Sequence, residues 1–186
     1  MRETAPGDTL IVMRRFAILC LPVLALALPA TALGLRAAAD DGTLVVKNGS
    51  APPGVAVVTL SINGTAIGHV STGSPDQFDK VIIYDPNNTN DIGASPTNGA
   101  LTITRTQISD TKTRFVGSDF RFRVANGVYK VWIYGTGVDL FAIGNGKATL
   151  QGMGAGSGDG RYSLDGGDWH SLPGVPSDLL QFPTSG

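Results

Sequence analysis

The chain has 186 residues, and its 14 Lys/Arg against 15 Asp/Glu leave a formal charge of −1. So even a balance gives no global signature for nucleic acid, which is not expected as a partner. The lone cysteine, Cys20, cannot build an intrachain disulfide or a thiolate metal cluster.

Met13-Arg14-Arg15 opens a basic stretch, followed by the apolar run FAILCLPVLALAL and then by small residues. Ala30-Thr31-Ala32 and Ala37-Ala38-Ala39 both fit an A-x-A cleavage site, so residues 1–39 read as a secretory signal peptide. The rival is an uncleaved anchor, because residues 16–35 match the length of a spanning helix, although Pro22 and Pro29 interrupt them. Membrane contact is expected only through this segment, and only if it is retained. Bulky Leu19 in front of Cys20 is wrong for a lipobox. Beyond residue 39 the chain has ten Lys/Arg, thirteen Asp and no Glu, a formal charge of −3. Residues 40–172 are long enough for a single β domain with a proper core, and residues 173–186 read as a Pro-containing C-terminal tail.

From Asp41 onward, Gly, Asn, Asp, Ser and Thr cluster between short runs of Val, Ile, Thr and aromatics, and no helical periodicity persists. A first strand is expected over 43–47. VAVVTLSINGTAIGHVS follows as a hairpin about Asn63-Gly64, pairing Val58 with His69 and Leu60 with Ile67 beside the core. VIIY (81–84) is a short strand, and 85–99 is a loop. Within that loop Asp85, Asn87, Thr89 and Asp91 imitate a calcium loop, but Asn90 and Pro96 stand where an EF-hand needs Gly and Glu. Asx turns explain the segment better. A further strand is expected over 100–107.

Two alternating runs then flank Asn126-Gly127 in DFRFRVANGVYKVWIY, residues 119–134. Asn-Gly is the strongest short signal for a two-residue hairpin turn. Folding about it puts Phe120, Phe122, Val124, Tyr129, Val131 and Ile133 on one core face. The other face opposes Arg121 to Trp132 and Arg123 to Lys130, with Tyr134 alongside. A similar hairpin about Asn145-Gly146 pairs Ile143 with Ala148 and Phe141 with Leu150. A glycine-rich loop, a strand over 161–164, the turn Asp165-Gly166-Gly167-Asp168 and a strand over 169–172 complete the pattern. The fold expected is an all-β antiparallel sandwich or barrel of roughly nine to eleven short strands joined by Asn-Gly hairpins. A glycine-rich β-roll or short β-helix is the alternative, although no fixed period holds.

Arg121, Arg123, Lys130, Trp132 and Tyr134 are the candidate ligand-binding residues. Flat aromatics beside cationic donors can stack on sugar rings and pair with anionic groups. An ordinary solvated sheet face would look the same. Directly opposed Arg123 and Lys130 would repel, which invites an acidic neighbour or an anionic partner. Catalytic residues are not assigned. No G-x-S-x-G elbow is present, and most Asp residues sit beside turn formers. A secreted hydrolase would have to use Asp165, Asp168 and His170, or His69. With two histidines and no cysteine or glutamate beyond residue 39, neither a metal nor another cofactor is expected. The resulting expectation is an extracellular or cell-envelope module, structural or binding and not catalytic, whose partner is a carbohydrate, an anionic surface polymer or another protein. A subunit of a surface assembly is the other alternative.

Overall fold

Alternating apolar and polar residues form strands when one face is buried, and most of the described residues do so. The structure, a computed structural model, describes residues 41–48, 54–71, 79–89, 91–97, 102–153 and 160–184. The signal-peptide reading of 1–39, the Asn98-Gly99 dipeptide and most of the glycine-rich loop before residue 160 lie outside them. Among the described residues eleven strands follow in order: β1 (Gly42–Asn48), β2 (Val55–Ser71), β3 (Asp79–Tyr84), β4 (Ile92–Pro96), β5 (Thr104–Ser109), β6 (Lys112–Gly117), β7 (Asp119–Thr136), β8 (Asp139–Met153), β9 (Gly160–Leu164), β10 (His170–Ser171) and β11 (Leu180–Phe182). They form one antiparallel sheet, not closed into a barrel. Its order is β10-β9-β1-β8-β2-β7-β3-β6-β5, with β11 added to β8 and β4 to β7. Antiparallel pairing throughout sets aside the β-roll and β-helix. The described residues contain no helix.

The Asn-Gly dipeptides at 63–64, 126–127 and 145–146 do not turn the chain. β2, β7 and β8 run straight through them and pair with one another along their whole lengths. Gly64 lies opposite Gly127 on one side and Gly144 on the other, and Asn63 lies opposite Asn145. The three expected hairpins are therefore one transverse crease in three long strands. Turn propensity is a local bias, and here the alternation on either side of each dipeptide pairs with a neighbouring strand instead of with itself.

At the crease β7 places two residues, Ala125 and Asn126, against the single Thr65 of β2. This is a β-bulge, and Asn126 adopts a left-handed φ of 53° within it. The extra residue reverses which parity faces inward. Phe120, Phe122 and Val124 before it, and Tyr129, Val131 and Ile133 after it, are all buried. Those six residues share the core as expected, but through a bulge and not a turn. Tyr129 braces the bulge from below: its Oη donates to the Ala125 carbonyl at 2.8 Å and lies 3.1 Å from Thr89 Oγ1. In β8 no bulge intervenes, so Ala148 and Leu150 are buried while Phe141 and Ile143 are 47% and 39% exposed. The expected pairing of the latter two with the core is corrected by that unbroken parity. The same holds in β2, where Ile67 is 52% exposed.

A straight strand of 17 residues would span about 56 Å, whereas a domain of this size is only about 40 Å across. The crease resolves the mismatch by folding the sheet over. Thr136 pairs with Val55 at the start of β2, yet its hydroxyl donates to the carbonyl of Ser71 at the end of the same strand, 3.3 Å away. Side chains of both halves then fill one contiguous core, from Leu44 and Val70 to Leu60, Val81 and Ile83. The result is a sandwich made from a single folded sheet. The front half holds β3, β5, β6, β11 and the crease-to-end segments β2 55–62, β7 128–136 and β8 146–153. The back half holds β1, β4, β9, β10 and the remainder of the long strands.

Three further strands depart from expectation. β6 lies between the strand expected over 100–107 and residue 119, where none is expected, and pairs with β3 and β5. β4 lies inside the stretch read as a long loop and pairs with β7 as an edge strand ending at Pro96. β11 lies within the last fourteen residues, where its Phe182 is buried and packs against Gly146.

Two glycines make the crease possible. A Cβ on Gly64 would sit 2.1 Å from the Ile143 carbonyl oxygen, and one on Gly144, whose φ is +138°, would sit 2.3 Å from that of Asn63. Both obstacles are backbone and cannot swing aside. Gly144→Ala is expected to cost about 1–3 kcal/mol in chemical denaturation. Gly174→Ala, where a Cβ meets nothing within 4 Å, should stay within about 0.5 kcal/mol of the parent.

Candidate functional site

The crease separates the five residues that a hairpin would have gathered. Arg121 and Arg123 lie on the outer face of the back half, and Lys130, Trp132 and Tyr134 on that of the front half. Arg121 and Trp132 are eleven steps apart on one strand, about 36 Å of contour. The expected Arg121–Trp132 pair is therefore not formed, and neither is the repulsive Arg123–Lys130 pair. Arg123 lies opposite Ile67 and Gly93; Lys130 lies opposite Ser61 and Tyr84. Trp132 takes its cation from β6, two strands away across β3, with Lys112 Nζ 5.1 Å from the ring centroid. Tyr134 takes its own from the neighbouring β3, with Lys80 Nζ at 5.9 Å.

Strand register builds the front outer face in three rows. The row nearest the crease reads Lys147, Ser61, Lys130, Tyr84, Lys112 across β8, β2, β7, β3 and β6. The next reads Thr149, Thr59, Trp132, Ile82, Arg114, and the third Gln151, Val57, Tyr134, Lys80, Val116. Five cations and three aromatic rings share this face, and none of its fifteen positions carries a carboxylate. Lys80, Lys130, Lys147 and Tyr134 are exposed, while Tyr84, Lys112, Arg114 and Trp132 are half-buried. A hollow of about 440 Å³ opens where this face meets the crease, lined by Lys130, Lys147, Asn63, Asn145 and Gln181.

Sequence reasoning found Lys130, Trp132 and Tyr134 but missed Lys80, Tyr84, Lys112, Arg114 and Lys147. Their alternation, as in Lys112-Thr113-Arg114-Phe115, marks an outward row on each strand. Strand order alone brings those rows together.

The back outer face differs in character. Ile67, Phe141 and Val45 lie side by side across three strands, with Arg123 next to Ile67. His69, expected beside the core, points to this outer face, where Nε2 lies 2.7 Å from Asp119 Oδ1. The calcium-like loop is an Asx turn. Asp85 is buried, with Oδ2 accepting from the Thr89 amide (2.7 Å) and hydroxyl (3.1 Å), and Oδ1 from the Asn87 amide (3.2 Å).

Asp165 serves the backbone. It sits with Gly166 in a left-handed turn, with φ values of 51° and 69°, closed by Gly167 N donating to Leu164 O at 2.8 Å. Its carboxylate accepts the amides of Thr43 (2.7 Å) and Thr184 (2.5 Å). Desolvation works against its charge, but the donors from Thr184 and Thr43 outweigh it and hold the carboxyl below its ordinary value. Asp168 is exposed, and the exposed His170 packs its ring against Tyr162 at 5.4 Å. The described residues include no group of three or more His, Cys, Asp or Glu side chains placed to hold a metal.

Asp79 is an acid that sequence reasoning did not single out. It is 2% exposed at the rim where the two halves meet. Oδ1 accepts the Thr136 amide at 2.9 Å, and Oδ2 is buried without a partner. Burial pushes the carboxyl up to about 7, against the Thr136 hydrogen bonds and the charge of His69, with Asp119 adding slightly to the rise. Because the folded value exceeds the unfolded 3.8, this contribution to stability is fully present below about pH 4 and is lost as pH rises to about 7. The loss is roughly 4 kcal/mol, at about 1.4 kcal/mol per unit. Asp79→Asn is expected to flatten that slope in thermal melts between pH 4 and 8, and to be more stable than the parent above pH 7.

Comparison with protein-family models, with curated proteins and with solved structures returned no match.

Proposed function

We propose that this chain is an exported, non-catalytic module that binds an anionic carbohydrate polymer through the outer face of its front half. One observation carries the reading: Lys80, Lys112, Arg114, Lys130 and Lys147 share a sheet face with Tyr84, Trp132 and Tyr134 and with no acidic side chain. Residues 40–186 have an acidic formal charge of −3, so this basic surface is a local concentration and not a reflection of composition. Five cations with no acid among them set up a positive potential over the face, which a polyanion would neutralise. Rings between the cations give sugar faces an apolar surface on which to stack. A flat, open face suits an extended chain better than a small molecule, which prefers a deep cleft. Export rests on the basic and apolar leader with its small-residue cleavage sites.

Affinity electrophoresis of the domain in gels containing an anionic or a neutral polysaccharide tests this. Retardation is expected in the anionic gel only, falling as salt rises. Trp132→Ala and Lys112→Gln should each reduce it at least threefold while leaving the melting profile of a folded β protein. Equal mobility in both gels would refute the proposal.

A further inference from the structure

The row nearest the crease has a period. Lys147, Lys130 and Lys112 occupy alternate strands β8, β7 and β6, with Ser61 of β2 and Tyr84 of β3 between them. Strands in a sheet lie about 4.8 Å apart, so neighbouring lysines in this row are about 10 Å apart. Along a strand the outward positions recur every second residue, about 6.7 Å, and there the cations alternate with Thr, Val, Ile or aromatic residues less regularly. The regular spacing of charge therefore runs across the strands.

From this we infer that the polymer lies perpendicular to the strands along the row Lys147–Ser61–Lys130–Tyr84–Lys112, and that it carries its acidic groups on alternate sugar rings. The inference rests on the proposed binding of an anionic polysaccharide to this face. A linear glycan advances by about one strand spacing per pyranose ring. Successive rings then meet a lysine, a hydroxyl, a lysine, an aromatic ring and a lysine. The uncharged rings fall over Ser61 and Tyr84, the second of which presents an aromatic surface to a sugar face. The first of those uncharged rings also faces the hollow between Lys147 and Lys130. There Asn63 and Asn145 offer amide groups to its hydroxyls, while Val128 and Pro183 supply apolar wall. Asn145 is held in place by a long hydrogen bond from its Nδ2 to Asp41, at 3.5 Å. A chain with an acid on every ring would set its extra charges over Ser61 and Tyr84, where no cation meets them.

Isothermal titration of the purified domain with three hexasaccharides tests the arrangement: hyaluronan, with acid on alternate rings; oligogalacturonate, with acid on every ring; and neutral cellohexaose. The alternating chain is expected to bind at least fivefold more tightly than the fully charged one at equal ionic strength, and cellohexaose at least tenfold more weakly than either. Lys130→Gln, at the centre of the row, should weaken hyaluronan binding at least fivefold, and Lys80→Gln, which adds to the charge of the face but lies two rows away, by a smaller factor of about two. Tighter binding of oligogalacturonate, or equal losses in the two variants, would overturn the alternating row while leaving the basic face as a polyanion site. No binding of either anionic chain would overturn both readings.

Discussion

Three strands in this protein are longer than the core they cover, and everything else in the fold follows from how they bend. A sheet of straight strands would leave its apolar face open to water, since no helix among the described residues covers it. Bending requires the backbones of β2 and β8 to approach at Gly64 and Gly144 more closely than any side chain permits. It also requires one extra residue in β7, so that the inward face stays inward on both sides. A glycine contact and a bulge thus do the work that turns and connections do in an ordinary sandwich.

The residue types at the crease explain why so much of the fold was legible in the sequence and why its connectivity was not. A two-residue turn and a one-residue bulge both reverse parity between Val124 and Tyr129. Each predicts the same six buried residues in β7, so burial could not discriminate between them. The difference lies in which strand is the partner. Residues 55–62 have two acceptable partners, their own continuation through Asn63-Gly64 or the distant β7 and β8, and local propensity sees only the first. Asp165-Gly166 shows the contrast: its flanks are short and polar, no neighbouring strand competes, and the left-handed turn forms as its sequence suggests. β4 escaped notice because its Gly93, Ser95 and Pro96 suit an edge and carry little alternation.

The candidate site was half legible for the same reason. Alternation identified Lys130, Trp132 and Tyr134 as outward-facing, but the fold-back carried Arg121 and Arg123 away to the other layer. What replaces them comes from β3, β6 and β8, whose outward lysines are unremarkable one strand at a time. Charge on a sheet face is a property of strand order, and strand order is set by long-range pairing that no local pattern records. The two outer faces consequently differ although they share strands. One is basic with aromatic rings, and the other mixes exposed Ile67 and Phe141 with the His69–Asp119 pair.

Because β2, β7 and β8 each pass through both layers, the sandwich is stitched across its fold by three continuous backbones. In a sandwich whose layers are joined by loops, slippage of one layer over the other breaks only side-chain contacts. Here any shear of the layers has to be accommodated at the crease by all three strands together, and their ladder hydrogen bonds resist it. The rim at Ser71, Asp79 and Thr136 then works as a clasp opposite a stiff spine, and a load applied to the front layer is carried into the back layer along the chain itself.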